Sequence, residues 1–404
     1  MERYPSYKPS GVKWLGEIPS HWRLVKSKYL WKESFATSEN GNEELLSVSQ
    51  YDGITPAKGD SRSESLKGYK IVSENDLVIN IMLAWMGGLG VSNYNGIVSP
   101  AYCIYKLNDD SNPKFLHYLY KTPLYLAEFA RHSTGVIPSR WRMYTDDFGQ
   151  VLSLIPPREE QNAIVSYLDE RTAKIDAAIA QQQKMIDLLN ERKQIIINRA
   201  VTKGLNPNAK MKDSGVEWIG EVPEHWEVMR MRYLCSITTG NKDTINRVDD
   251  GLYPFYVRSP KVERINTYSY DGEAVLMAGD GVGAGKVFHY VNGKFDYHQR
   301  VYNFYNIKKI KAKLLYYYMK SHFRYVIEQL SAKSTVDSVR LNMIQDFLVV
   351  IPPMQEQLDL IEYLDSQMKN LDDSISMFEN QISLLQERKQ IIINEVVTGR
   401  VKVV

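Results

Sequence analysis

The glycine-rich stretch GDGVGAGK is the part of the sequence that most resembles a nucleotide-binding loop. It runs from Gly279 to Lys286, and glycines of this kind let backbone amides surround a phosphate. A phosphate loop would need glycine in place of Asp280 and serine or threonine in place of Val287, and a dinucleotide fingerprint would need glycine in place of Ala284. The stretch is therefore predicted to be a turn between strands, in which the lysine can still reach a DNA phosphate.

Other catalytic signatures are missing from the sequence. It has no HExxH zinc motif, no Cys and His cluster at ligand spacing, no GxSxG elbow and no Asn-Pro-Pro-aromatic tetrad such as amino-methyltransferases use for a flipped base. His21 and His225 each lie in a Pro-x-His-Trp segment, and this matched setting favours a packing role over a general base. The carboxylate pairs Asp146-Asp147 and Asp249-Asp250 are predicted to be solvated turn or helix-start residues.

Basic and polar residues in loops offer a different chemistry, the reading of DNA. Arginine can bond guanine through two hydrogen bonds, asparagine or glutamine can bond adenine, and lysine or hydroxyl groups hold phosphates. Two polar loops that end in basic residues, 132–142 and 331–340, supply such side chains. The predicted DNA-contacting residues are Ser133, Thr134, Arg140 and Arg142 in the first half of the chain and Lys286, His298, Arg300, Lys333, Ser334 and Arg340 in the second.

These candidates lie in a chain that contains one unit twice. The segments SGVKWLGEIPSHWRLVKSKYL (10–30) and SGVEWIGEVPEHWEVMRMRYL (214–234) agree at 11 of 21 positions. LLNERKQIIIN (188–198) and LLQERKQIIIN (384–394) agree at 10 of 11 positions. Between the matching ends, residues 48–121 and 245–320 share little beyond a strand-like rhythm of β-branched and aromatic runs. The repeat therefore predicts one scaffold that occurs twice and carries a different variable region in each copy.

A long helix is predicted at the end of each copy. The helices follow Pro156-Pro157 and Pro352-Pro353, and they run without proline or glycine over 158–203 and 354–398. At a rise of 1.5 Å per residue, each would be roughly 60 to 70 Å long. Because a globular region lies between them, an antiparallel pair related by a pseudo-twofold axis is favoured, with one variable region at each end of a rod.

Apolar residues recur along both helices at alternating spacings of three and four, which is typical of a coiled coil. Gln182 is a polar break in this seam and a candidate for setting its register. The residues predicted to mediate helix packing or partner docking are Leu168, Ile175, Ile179, Ile186, Leu189 and Ile196 in the first helix and Leu364, Leu371, Ile375, Phe378, Ile382, Leu385 and Ile392 in the second.

Together these patterns predict an α+β protein in which two β-rich domains are joined by two long helices. The predicted domains are residues 1–157 and 204–353, and the helical segments are 158–203 and 354–404. The composition, 44% hydrophobic and 24% charged, is that of an ordinary globular protein, and the net charge of +2 does not by itself indicate nucleic-acid binding. No apolar run is long enough for a membrane span, and MERYPSYKPSG is not a signal peptide, so a cytoplasmic location is expected. Cys103 and Cys235 are expected to be buried thiols.

The repeated SGVxWxGExPxHW opening, the IPPREEQ and IPPMQEQ helix starts and the LLxERKQIIIN helix ends resemble the specificity subunit of type I restriction-modification systems. The resemblance covers nearly the whole chain. It implies two target recognition domains that each read one half of a bipartite double-stranded DNA site, and two helices that fix the gap between the halves. It implies no enzymatic activity for this chain.

The resemblance also implies partners. Two modification subunits would carry S-adenosylmethionine and methylate adenine, and two restriction subunits would add ATP- and Mg-dependent translocation and cleavage. In the repeated ERKQIIIN segment, Glu191, Arg192 and Lys193 and their counterparts Glu387, Arg388 and Lys389 are placed to meet the other helix or a docked modification subunit. The alternative is a coiled-coil scaffold whose globular ends bind proteins.

Overall fold

A computed structural model describes residues 2–50, 53–58, 65–137, 141–331 and 338–403, with the backbone alone described for 328–331. The chain forms two compact units. Unit 1 comprises Met1–Gln182 and Asn380–Val404, and unit 2 comprises Gln183–Glu379. Each unit thus contains a β-rich region together with part of both long helices, whereas the sequence-based division had kept the helices as separate segments.

Unit 1 is built on short strands that pair antiparallel. The strands are β1 (Tyr7–Pro9), β2 (Glu17–Pro19), β3 (Arg23–Lys26), β4 (Trp31–Ser34), β5 (Leu46–Ser49), β6 (Gly53–Pro56), β7 (Lys70–Val72), β8 (Leu77–Asn80), β9 (Leu89–Val91), β10 (Gly96–Val98), β11 (Tyr102–Leu107) and β12 (Leu152–Ile155). The helices are α1 (Ser27–Leu30), α2 (Pro113–Tyr120), α3 (Pro123–Arg131), α4 (Thr145–Gln150) and the first part of α5 (Arg158–Lys203), with a 3-10 turn at Ala84–Met86. The central sheet has the order β4-β11-β8-β9.

Unit 2 is built on a larger sheet, of order β16-β21-β19-β20-β17-β18, in which β17 and β20 run parallel. The strands are β13 (Met211–Asp213), β14 (Glu221–Pro223), β15 (Glu227–Arg230), β16 (Ser236–Thr239), β17 (Tyr253–Tyr256), β18 (Val262–Ile265), β19 (Tyr270–Ala278), β20 (Phe288–Tyr297), β21 (Val301–Tyr305) and β22 (Leu348–Ile351). The helices are α6 (Ala312–Ser331), α7 (Leu341–Asp346) and α8 (Met354–Val397), with 3-10 turns at Met231–Tyr233 and Thr244–Asn246.

The α+β fold class and the two long helices are confirmed. α5 has 46 residues and α8 has 44. Each helix begins directly after a Pro-Pro pair, which cannot lie in the interior of a helix. Each is followed by a glycine with positive φ, which is Gly204 at 71° after α5 and Gly399 at 75° after α8. Sequence punctuation thus determined where both helices begin and end, to within one residue.

In each unit the two helix segments run antiparallel. In unit 1, Leu168 of α5 lies in one hydrophobic core with Val397 of α8, and Lys389 forms an ion pair with Asp176 at 2.7 Å. In unit 2, the equivalent lysine of the repeat, Lys193, pairs with Asp372. The lysine of ERKQIIIN therefore contacts the other helix, while the preceding glutamate and arginine are exposed in both copies.

The predicted seam faces inward along both helices. Each of its residues is buried or half-buried, whereas most of the intervening positions are exposed. The buried members are Leu168, Ile186, Leu364, Leu371 and Ile392, and the half-buried members are Ile175, Ile179, Leu189, Ile196, Ile375, Phe378, Ile382 and Leu385.

Histidine burial makes the stability of unit 1 dependent on pH. The Nδ1 atom of His117, on α2, accepts a hydrogen bond from the Val91 amide at 3.1 Å. Burial, with smaller contributions from Lys121 and Lys114, lowers the pKa of His117 to about 4. Since the unfolded chain titrates near 6.5, it binds the proton more readily than the folded unit, so stability is lost as pH falls from about 6.5 towards 4.

We expect a His117→Asn substitution, which retains an acceptor atom but cannot titrate, to reduce this pH dependence. Between pH 7 and pH 5, the wild-type free energy of unfolding should fall by about 2 kcal/mol more than that of the variant. Urea titrations at both pH values measure the difference. If the free energy of unfolding falls equally in the wild type and the variant, the pH dependence does not come from His117. Burial also lowers the pKa of His322 in unit 2 to about 4. Its effect on the pH dependence of stability is the same in the wild type and in the variant.

Candidate nucleic-acid interface

A carboxylate clamp joins the opening of unit 1 to its helices. Glu160, in the first turn of α5, accepts hydrogen bonds from Tyr4 Oη at 2.5 Å and from Trp22 Nε1 at 3.1 Å, and its second oxygen lies 2.8 Å from His21 Nε2. The Trp22 ring is fully buried, and a Cβ on Gly399 would lie 3.1 Å from it. One tryptophan thus contacts both the start of α5 and the end of α8.

Unit 2 contains the same clamp with the helices exchanged. Glu356, in the first turn of α8, accepts a hydrogen bond from Trp226 Nε1 at 2.9 Å and lies 2.6 Å from His225 Nε2. Trp226 is fully buried, and a Cβ on Gly204, just after α5, would lie 3.1 Å from its ring. The repeated Pro-x-His-Trp segments are therefore framework, in agreement with the packing role predicted for both histidines.

The glutamine that follows each clamp carboxylate connects the helix start to the variable region. Gln161 accepts from the Asn112 amide at 2.7 Å and donates to the Pro156 carbonyl at 2.8 Å. Gln357 accepts from the Lys311 amide at 2.7 Å and donates to the Pro352 carbonyl at 2.8 Å. The repeated motifs hold the helix starts and the short helices together, so the candidate site must be sought where the copies differ.

One pair of loops occupies an equivalent place in the two units. In unit 1, the loop after β8 joins the segment before α4 through a hydrogen bond from the Met143 amide to the Ile81 carbonyl at 3.0 Å. In unit 2, the loop after β19 joins the segment before α7 through a bond from the Val339 amide to the Gly279 carbonyl at 2.7 Å. These loops carry five of the seven predicted DNA-contacting residues that the structure describes, and their chemistry differs between the units.

In unit 1 the paired loops combine polar backbone pairing with aromatic rings. Thr134 and Arg142 exchange two backbone hydrogen bonds of 2.9 Å, and Ser133 Oγ donates to the Phe129 carbonyl at 2.8 Å. The rings of Trp85 and Trp141 meet edge to face, with centroids 5.4 Å apart. The same two segments carry four exposed apolar side chains: Met82, Met86, Val136 and Ile137. The surface is suited to apolar contact or stacking as well as to hydrogen bonding.

In unit 2 the equivalent loops are charged. Asp280, the first residue of the glycine-rich turn that differs from a phosphate loop, lies 3.1 Å from Arg258 Nη1 and 3.5 Å from Arg300 Nε. Lys286 and Arg340 are exposed beside the same turn. The segment from Gly279 to Lys286 connects β19 to β20, so the predicted turn between strands is what the structure contains.

His298 has a different environment from the other predicted DNA contacts. Its side chain is only 2% exposed, and its Nδ1 atom accepts from the Arg300 amide at 3.0 Å. Burial lowers its pKa, Arg258 lowers it further, and Asp243, whose carboxylate lies 3.6 Å from Nε2, opposes the shift. The neutral ring therefore holds the backbone of a predicted contact residue, and direct contact of His298 with DNA stays a prediction.

Three predicted residues, Arg140, Lys333 and Ser334, lie outside the described residues. Conversely, Trp85, Trp141, Arg258 and Asp280 lie at the paired loops but were not among the predicted contacts. The position of the two tryptophans beside polar loops in the sequence could have indicated that they lie at this site. The arginine and the aspartate are 22 residues apart and gave no local signal.

A second repeated surface lies on the long helices. Leu188 and Ile195 in unit 2 are 49% and 60% exposed, and their repeat counterparts Leu384 and Ile391 in unit 1 are 56% and 47% exposed. These residues lie outside the seam, in the segments that the two copies share almost completely. Among the described residues, no group of three or more acidic, histidine or cysteine side chains could hold a metal ion, and no helix could cross a membrane.

Comparisons with known proteins agree with this architecture. A family model for the type I restriction modification DNA specificity domain matches residues 223–384. The specificity subunit of the type I restriction enzyme EcoDI from Escherichia coli is 28% identical over 180 residues, which are 45% of this chain and 39% of that relative. The MjaVIII specificity subunit from Methanocaldococcus jannaschii is 23% identical over 361 residues, covering 82% of this chain and 80% of that relative.

A solved structure has the same fold. It comes from work on the complex assembly and conformational transition of a type I restriction-modification system, and it is 15% identical to this chain, with a TM-score of 0.69. The alignment covers 95% of this chain and 99% of the other.

Proposed function

We propose that this chain is a specificity subunit of a type I restriction-modification system, like the relatives that it resembles, and that it reads an asymmetric, bipartite DNA site, one half with each unit. The observation that carries this proposal is the contrast at the paired loops. Among the described residues, this place in a repeated scaffold holds the paired rings of Trp85 and Trp141 in unit 1 and the cluster of Arg258, Arg300 and Asp280 in unit 2. Two different surfaces on equivalent frameworks suit two different base sequences.

The long helices fix the gap between the two half-sites. Their seam residues are buried or half-buried within each unit, and Trp22 and Trp226 each contact the start of one helix and the glycine after the other. The number of residues in each helix is therefore a fixed property of the chain. A base-pair step rises by about 3.4 Å, and a helical residue by about 1.5 Å. A helix pair of constant length therefore selects one gap and rejects its neighbours.

Two modification subunits and two restriction subunits dock on this chain. The exposed pair Leu188 and Ile195 recurs as Leu384 and Ile391 within nearly identical segments, and two equivalent apolar surfaces suit two copies of one partner. This chain performs recognition without catalysis in the cytoplasm, and the partners carry S-adenosylmethionine, ATP and Mg.

Methylome sequencing of cells that express this chain with its modification subunit tests the proposal. We expect methylated adenine at a single motif with two dissimilar half-sites and a constant gap. Cells expressing the modification subunit alone are the control and should show no such motif. If the modification subunit does not co-purify with the chain, and the mixture shows no sequence preference, the chain is a protein-binding scaffold instead.

A further inference from the structure

Arg300, in the arginine-rich loops of unit 2, has a backbone that is fixed by two hydrogen bonds. The Arg300 amide donates to His298 Nδ1 at 3.0 Å, and the Arg300 carbonyl accepts from the Gly279 amide at 2.8 Å. Both backbone polar groups of the residue are therefore occupied. Its side chain is nevertheless 64% exposed. The backbone is held while the guanidinium remains accessible to a ligand.

An ion pair with Asp280 lies at one edge of the Arg300 guanidinium. The Asp280 carboxylate lies 3.5 Å from Nε of Arg300 and 3.1 Å from Nη1 of Arg258, and it is only 21% exposed. The carboxylate lies on the Nε side, and among the described residues no ion pair involves the two terminal amino groups of Arg300, which form a forked pair of donors. That fork matches a pair of neighbouring acceptors. In the major groove, guanine presents such a pair as O6 and N7.

The surroundings fit a nucleic acid. Arg300 and Arg340 line one open cleft of about 410 Å³ together with Gln299 and Ser338. Gly281 and Val282, which follow the aspartate, are exposed, so the loop is accessible to a duplex. Among the described residues of this cluster, the four cations Arg258, Lys286, Arg300 and Arg340 outnumber the two carboxylates, Asp280 and Asp243. An excess of positive charge draws in a phosphate backbone, while the oriented fork reads a base.

We propose that Arg300, positioned by Asp280, reads a guanine in the DNA half-site recognised by unit 2. The assignment rests on the proposed function and specifies which base one residue recognises. Asp280 acts as a positioning residue, and His298 holds the backbone from which the guanidinium extends. Among the described residues of the unit 1 loops no such arginine–aspartate pair is present, so the guanine contact is assigned to the half-site of unit 2.

The test uses the complex of the full chain with its modification subunit and a set of duplexes based on its methylated motif. Each base pair of both half-sites is replaced in turn, and relative affinities are measured by competition at one salt concentration. The Arg300→Gln variant is expected to lose ~10- to 100-fold of discrimination at one G·C pair of one half-site, with the other half-site unchanged. Asp280→Asn should reduce discrimination at the same base pair, by a smaller factor.

The control is Arg324→Gln, which removes the same charge from an exposed residue of α6, and it should leave every preference unchanged. If Arg300→Gln weakens binding to all duplexes equally, Arg300 contacts phosphate and the guanine assignment is wrong, while the proposed function stands. If the wild-type complex shows no bipartite preference, the proposed function fails, and the assignment fails with it. Circular dichroism of each variant verifies that the fold is retained.

Discussion

Inserting four residues into both long helices is expected to widen the gap of the recognised DNA site by one or two base pairs while both half-sites stay the same. The insertion points are between Gln182 and Gln183 in α5 and between Glu379 and Asn380 in α8, where each helix passes from one unit to the other. Four residues add about 6 Å to a helix, and a base pair rises by about 3.4 Å. Four residues also make slightly more than one turn, so the seam nearly keeps its phase.

Methylome sequencing of the double-insertion variant measures the gap directly. A length-preserving control, Gln181→Ala with Lys184→Ala, changes exposed residues of the same helix region and should leave the motif as it is. An insertion in α5 alone makes the helices unequal and is expected to reduce methylation strongly, because the seams can no longer pair in phase. Normal methylation at an unchanged gap in the double variant would refute the idea that the helices set the spacing.

Truncating either clamp tryptophan is expected to be the most destabilising single change in its unit. Trp22 and Trp226 are fully buried, donate to Glu160 and Glu356, and lie against the glycines that follow α8 and α5. Replacement of a buried tryptophan by alanine costs about 3 to 5 kcal/mol through lost burial and an unfilled cavity. Chemical denaturation followed by circular dichroism should show an earlier unfolding transition of this size for Trp22→Ala and for Trp226→Ala.

Two comparisons separate the clamp from a general effect of losing a tryptophan. Trp85→Ala removes a half-buried ring at the paired loops of unit 1 and should cost only about 1 kcal/mol. The carboxylates provide the second comparison, since the Glu160 side chain is 14% exposed and that of Glu356 is 41% exposed. Glu160→Ala should therefore be more destabilising than Glu356→Ala, because the less hydrated acceptor leaves its donors less able to bond water. Equal losses from Trp22→Ala and Trp85→Ala would contradict a special role for the clamp.

The clamp gives the repeated motifs a physical explanation. Pro-x-His-Trp, the Glu-Gln helix start and the glycine after the other helix are far apart in sequence, yet in each unit they meet around one indole ring. A change in any of them would disturb the same contact. The loops that differ between the copies take no part in it, so they can change their chemistry without loss of the framework.

The sequence by itself determined the repeat, the α+β class and the bounds of both long helices, and it predicted the residues of their seam. These features follow from local rules: proline and glycine delimit helices, and spacings of three and four place apolar residues on one face. The antiparallel direction was predicted from the globular region that lies between the two helices, and the helix segments run antiparallel within each unit. The fold could therefore be predicted almost completely.

Only the tertiary structure decided which side chains meet. The clamp joins His21 and Trp22 to Glu160 across 139 and 138 residues, and Lys389 reaches Asp176 across 213. Nothing in the local sequence around Arg300 indicated that Asp280 would orient it or that His298 would be buried beneath it. Hydrogen bonds and burial depend on how remote strands and loops pack, which a residue's own neighbours in sequence do not specify. The helices could be predicted from sequence periodicity, whereas the contacts at the paired loops could be seen only in the folded structure of each unit.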